Sequence, residues 1–254
     1  MSTLLNLPGR PAPDRAPVGT WLKIPAVEPV EIVASAGFDF VIVDLEHTAL
    51  TLESAQRIVT VAALGGVAPL VRVPDHGPST IQRVLDGGAH GVLVPKVDTV
   101  DAAAAVARAA RFPPRGDRGA GGTSRAGGWG LRPSADYLAF GNDQALVIPQ
   151  IESERAVAAA PGILAIDEVD AVFVGAADLG LSAGLPSGDP ALVAMIDQVV
   201  AAAADAGKPC GLAFGADGHA GAQAAATGTG FVVLANDTTL LALAARALVQ
   251  DYRG

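Results

Sequence analysis

With 254 residues, half of them apolar, the chain is long enough for one α/β barrel or two small domains. A formal charge of −9 and a pI near 4.8 repel phosphate backbones and anionic lipid, which argues against nucleic-acid and membrane-surface partners. The lone cysteine, Cys210, excludes an intrachain disulfide and a cysteine metal cluster, and fits a reducing cytoplasm.

Residues 1–16 are rich in proline and arginine, lack a sustained apolar stretch, and read as a flexible N-terminal arm rather than a signal peptide. Residues 17–254 read as one catalytic domain, with no shift in composition to mark a second. From there one unit recurs: an alanine-rich amphipathic segment, a glycine or aspartate turn, then four to six aliphatic residues, as in GFDFVIVD, GAHGVLVP, VDAVFVGA and GTGFVVLA. Strands are predicted near 18–23, 39–44, 68–73, 90–95, 145–151, 170–175, 209–214 and 230–235. Helices are predicted near 27–36, 52–64, 78–86, 99–110, 153–165, 189–206, 217–227 and 237–251. Continuous apolar strands alternating with helices imply a parallel sheet covered on both faces, and eight of each predict a (β/α)8 TIM-type barrel. No G-x-G-x-x-G fingerprint follows a strand; the glycine-rich GGTSRAGGWG follows a helix. A mean hydropathy of +0.40 points to apolar surface buried between the subunits of a homo-oligomer.

In such a barrel the working groups stand at the carboxyl ends of strands. Those ends carry Lys23, then Asp44, Glu46 and His47, then Arg72, Lys96, Gln150 with Glu152, Gly175 with Asp178, and Asn236 with Asp237. Any one of them can be a helix cap or a surface charge, and Asp189 and Asp237 read as caps. As a set they suggest chemistry. Glu152 and Asp178 follow adjacent strands, so two carboxylates can share one hard divalent cation, magnesium or manganese before cobalt or zinc. Arg72 then suits a substrate carboxylate or oxyanion, Gln150 suits orientation, and Asp44 with His47 suits an acid/base dyad.

The stretches DLEH (44–47), VRVP (71–74), VLDGGAHGVLVPKV (84–97), RFPPRGDRG (111–119), QIES (150–153) and VFVGAADL (172–179) together resemble the HpcH/HpaI aldolases. The resemblance spans nearly all of the chain after residue 16 and implies a phosphoenolpyruvate/pyruvate-type barrel. Its activity is metal-dependent, reversible cleavage of a 4-hydroxy-2-oxoacid into pyruvate and an aldehyde through the pyruvate enolate. It also implies that Glu152 and Asp178 bind the metal, that Arg72 stabilises the enolate oxygen, and that His47 with Asp44 moves the proton of the acceptor hydroxyl. Backbone amides of Gly175, Ala176 and Ala177 would hold the carboxylate, with Trp21 and Leu212 shaping the pocket. Members commonly carry proline at Ala176 and serine at Gly180, so the carboxylate turn departs from the family pattern here.

Topology places Asp86 and the loop RFPPRGDRGAGGTSRAGGW at the amino-terminal face, away from their own rim. The resemblance implies that both approach a neighbouring subunit's site in a homo-oligomer, by resemblance a hexamer, with the last helix packed on a neighbouring barrel. Other readings stay open on the residues alone: a Schiff-base lysine at Lys23 or Lys96, decarboxylation of oxaloacetate, or a keto-acid binding protein without turnover.

Overall fold

The computed structural model describes residues 15–254; the expected arm at 1–16, apart from its last two residues, lies outside the described residues. Of those two, Arg15 ion-pairs with Asp39 at 2.9 Å. Eight parallel strands close in sequence order into a barrel. They are β1 (Val18–Leu22), β2 (Phe40–Asp44), β3 (Ala68–Arg72), β4 (Gly91–Val94), β5 (Leu146–Ile151), β6 (Val172–Val174), β7 (Cys210–Phe214) and β8 (Phe231–Asn236). Around them lie α1 (Glu28–Ser35), α2 (Leu52–Leu64), α3 (Pro78–Asp86), α4 (Val100–Ala110), α5 (Ser134–Asp143) and α6 (Glu154–Leu164). The chain continues with α7 (Ala176–Ala183), α8 (Pro190–Asp205), α9 (Gly218–Ala226) and α10 (Asp237–Arg253).

Alternation along each strand divides the core into two layers. Val41, Val43, Val71 and Val92 point outward and pack on helix residues such as Ile58, Ile81 and Val106. Phe40, Ile42, Leu70, Ile148, Phe173 and Phe231 point inward and fill the barrel. The aromatic rings fit because small residues face them: a Cβ at Gly19 would stand 2.2 Å from the Phe40 ring, and one at Gly211 would stand 2.2 Å from the Phe231 ring. Extended by one more period, the inward series reaches Lys23, Asp44, Arg72 and Gln150 at the carboxyl mouth. The rule that fills the core therefore also delivers the polar groups.

Among the described residues, two α-helices lie outside the expected set. Helix α5 buries only Tyr137 and Gly141, so its apolar period is too weak to read inside a glycine-rich stretch. Helix α7 occupies GAADLG, which reads as a turn. The segment before α5 is anchored. Arg111 is 1% exposed, donates to the carbonyls of Gly141, Ala145 and Glu168, and pairs with Asp170 at 2.6 Å. Asp189 caps α8 as expected, accepting from the Ala191 N–H. Helix α10 is capped by Asn236 and not by Asp237. Asp237 is its one buried residue, and Leu241, Leu248 and Tyr252 face outward. Among the described residues, no helix is long and apolar enough to cross a membrane.

Candidate active site

The register pairs Asp44 with Arg72 across β2 and β3, and both point into the mouth. Arg72 grips the carboxylate with two parallel bonds, Nε to Oδ1 at 2.9 Å and Nη2 to Oδ2 at 2.7 Å. From β1, Lys23 Nζ reaches the same Oδ2 at 2.5 Å. Oδ1 also accepts the N–H groups of Glu46 and His47, which turns the chain at the strand end. Asp44 is fully buried. Burial alone would raise its pKa, but the hydrogen bonds and charges of Arg72 and Lys23 outweigh it and bring the carboxyl down to about 2. A carboxylate held that low stays ionised and takes up a proton poorly at neutral pH. The Arg72 guanidinium lies over the Trp21 ring, 4.4 Å from its centroid.

On the facing arc, Glu152 is 6% exposed. Its Oε1 accepts the Lys96 N–H at 2.6 Å, and its Oε2 accepts from the Gln150 side-chain amide. Lys96 donates from a left-handed backbone conformation, φ 55°, which aims its N–H into the mouth. Burial pushes the Glu152 carboxyl up to about 7, and the Glu46 and Asp178 carboxylates add to the rise against the Lys96 N–H and Arg72. Glu46 Oε2 stands 3.1 Å from Arg72 Nη1 but lacks hydrogen-bond geometry, and Gln150 Oε1 is buried without a partner. Among the described residues no three His, Cys, Asp or Glu side chains converge closely enough to enclose an ion by themselves.

Asp178 belongs to the first turn of α7, not to a strand-end turn. No side chain caps that helix, so the amides of its first turn point at the mouth unclaimed. Gly175, its N-cap, is a contact point: a Cβ there would lie 2.7 Å from both Gln150 Nε2 and Glu152 Oε2. Gln150, Gly175 and Asp178 line a cavity of about 350 Å³ together with Trp21, Lys23, Arg72, Phe214 and Asn236. Gly175, Ala176 and Ala177 belong to its wall. Leu212 does not. It lies in the outward phase of β7 and packs with the helix layer, and β7 lines the cavity with Ala213 and Phe214 instead.

His47 is half-exposed, and its Nε2 stands 3.4 Å from Glu46 Oε2. The expected side-chain dyad with Asp44 is not formed, because Arg72, Lys23 and two backbone amides occupy that carboxylate; Asp44 holds the backbone of His47, not its ring. Asp86 ends α3 at the opposite end of the barrel, where it accepts from Arg118 Nη2 at 2.6 Å and the Tyr137 hydroxyl at 3.1 Å. The two lysines differ from a Schiff-base amine in their surroundings: Lys23 is ion-paired, and the Lys96 side chain is 73% exposed. Sequence reading missed Asp237, whose carboxylate accepts the N–H groups of Lys23 and Ile24 at 2.9–3.0 Å and fixes the loop after β1. Nothing in the local sequence signals a clamp between residues 213 positions apart.

A family model described as HpcH/HpaI aldolase/citrate lyase matches residues 18–244. The 4-hydroxy-2-oxo-heptane-1,7-dioate aldolase of Shigella sonnei (strain Ss046) is 37% identical over 241 residues, 94% of this chain and 91% of that protein. The 4-hydroxy-2-oxovalerate aldolase of Rhodococcus jostii (strain RHA1) is 38% identical over 245 residues, 95% of this chain and 93% of that protein. Among solved structures, a HpcH/HpaI aldolase/citrate lyase family protein from Burkholderia cenocepacia J2315 superposes with a TM-score of 0.89 at 34% identity, covering 95% of this chain and 96% of that one.

Proposed function

The chain belongs to the HpcH/HpaI aldolase/citrate lyase family, and from that premise we propose how its rim cleaves a 4-hydroxy-2-oxoacid reversibly into pyruvate and an aldehyde. The observation that carries the reading is the Glu152 carboxyl at the barrel mouth, its pKa raised by burial first and then by the Glu46 and Asp178 carboxylates. Glu46 is ion-paired with Arg72, whereas Glu152 and Asp178 form no ion pair among the described residues, and two such carboxylates fit a hard divalent ion. Glu152 and Asp178 would hold that ion, magnesium or manganese before cobalt or zinc. When bound, it supplies Lewis-acid polarisation of the oxoacid carbonyl.

The protein's own groups do the rest. The first-turn amides of α7, from Ala176 on, receive the oxoacid carboxylate, where the helix dipole favours negative charge. Gln150 and Trp21 line the pocket beside it. Arg72 is held in place by Asp44, and its positive charge faces the oxygen on which charge develops as the bond breaks. Fixing that guanidinium beforehand avoids reorganising it during the reaction. His47, beside Glu46, moves the proton of the 4-hydroxyl, with Glu46 in the orienting place that the sequence suggests for Asp44. Assembly as a homo-oligomer, the hexamer implied by resemblance, accounts for the exposed apolar residues of α10. A partner subunit would then bring the end of the barrel that carries Asp86 close to the site. The lone, buried Cys210 suits a cytoplasmic protein.

The test is exchange of the methyl protons of pyruvate in deuterated buffer, followed by NMR on protein stripped with EDTA and then resupplied with manganese or magnesium. Exchange only with metal is expected; its absence with every divalent ion removes enolate chemistry from the reading. Replacing His47 by alanine should slow aldol cleavage roughly a hundredfold, the scale of positioned acid/base help, while sparing oxaloacetate decarboxylation, which has no hydroxyl to deprotonate. Equal losses in both reactions would reassign His47 to binding or to enolate formation.

A further inference from the structure

We propose that Lys23 makes this rim selective for an acceptor aldehyde bearing a carboxylate, an inference that rests on the aldolase reading above. The cavity has two arcs. Gln150 after β5 and the first turn of α7 after β6 form the oxoacid side; Phe214 and Gly215 after β7, Asn236 after β8 and Lys23 after β1 form the remainder. The second substrate meets that remainder.

The other charged group beside this arc, Asp237, is already engaged, and the polar side chains that line it, Asn236 and Thr239, are neutral. Asp237 is buried beneath the loop and accepts N–H groups from Lys23, Ile24 and Thr238. The Asn236 side-chain oxygen accepts from the Thr239 N–H at 2.7 Å and from the Thr238 hydroxyl at 2.6 Å. Among the described residues, the Lys23 ammonium is the charged group this arc turns toward the cavity. It is 23% exposed and donates one bond, to Asp44, a carboxylate it shares with the bidentate fork of Arg72. An ammonium has three N–H donors, so two remain for a ligand, and its charge is only partly offset. The Asp237 clamp holds the backbone of Lys23, so the ammonium is set before the acceptor arrives. A carboxylate on the aldehyde gains a charge-assisted bond there, and a neutral aldehyde gains none.

The wild type is first assayed for metal-dependent pyruvate exchange; failure at this step overturns the aldolase reading itself. Synthesis is then measured with pyruvate and either succinic semialdehyde or propionaldehyde, and the readout is the ratio of the two kcat/KM values. Lys23→Gln keeps a donor for Asp44 but loses the charge, and Lys23→Arg keeps the charge. The ratio should fall about tenfold or more in the glutamine variant, as expected for one hydrogen bond to a charged group, and survive in the arginine variant. If both aldehydes slow by the same factor, Lys23 only positions Asp44 and the proposal is overturned. Should the glutamine variant not fold, the wild type decides: its ratio must favour the anionic aldehyde and must fall as salt is raised.

Discussion

Glu152→Gln is expected to lose metal-dependent pyruvate exchange and cleavage by roughly a thousandfold or more, the several kcal/mol that a Lewis acid contributes, while the barrel stays folded. Glutamine has nearly the shape of glutamate, and its side-chain oxygen can still accept the Lys96 N–H. The contact with Gln150 changes sign, because two amide N–H groups would then face each other. Gln150 has a buried, unpartnered Oε1, and rotation of its amide presents that acceptor instead. Removing the Glu152 charge, which burial and the neighbouring Glu46 and Asp178 carboxylates disfavour, also relieves repulsion, so stability without metal should hold within about 1 kcal/mol at neutral pH. Exchange rates and metal binding are measured alongside denaturant unfolding. A variant that binds manganese and exchanges pyruvate like the wild type would show that the ion sits elsewhere.

Arg72→Met should damage both stability and activity, for separable reasons. The residue is 6% exposed and is the main counter-charge of the fully buried Asp44, so its loss leaves Lys23 as that carboxylate's one ion-pair partner among the described residues. Breaking a buried pair from one side costs about 3–5 kcal/mol, read from the denaturant midpoint. Arg72→Lys keeps the charge but loses the two-pronged grip and should fall between the two. The double variant Arg72→Met with Asp44→Asn removes both charges and should recover most of the stability. Its activity should remain down roughly a hundredfold or more, since no cation faces the developing oxyanion. If activity returned with stability, Arg72 would serve only to neutralise Asp44. The pair also sets an acid limit. Because the folded Asp44 carboxyl lies near 2, below its ordinary 3.8, it stabilises the protein above pH 3.8, and that contribution is lost as pH falls through about 2.

The sequence alone determined the barrel and most of its rim, because both follow from one local period. Alternation over four to six residues fixes which side chains enter the core, and extending it one step past Ile42, Leu70 and Ile148 reaches Asp44, Arg72 and Gln150. Leu212, which the resemblance sets in the pocket, lies in the outward phase of β7: continuous apolar strands do not show which alternate residues face inward, and glycine at 211 leaves no inward side chain to mark the phase. Helix α7 escaped for a related reason, as eight residues with no side-chain cap resemble a turn. Tertiary structure decided the partners. Asp44 had several candidate mates within reach of one rim. Arg72 claimed it through strand register and Lys23 through the β1 loop, which Asp237 pins from the far end of the chain, leaving His47 to Glu46. Which charges meet depends on distances between strands remote in sequence, and a closed barrel sets those distances only when its last strand meets its first.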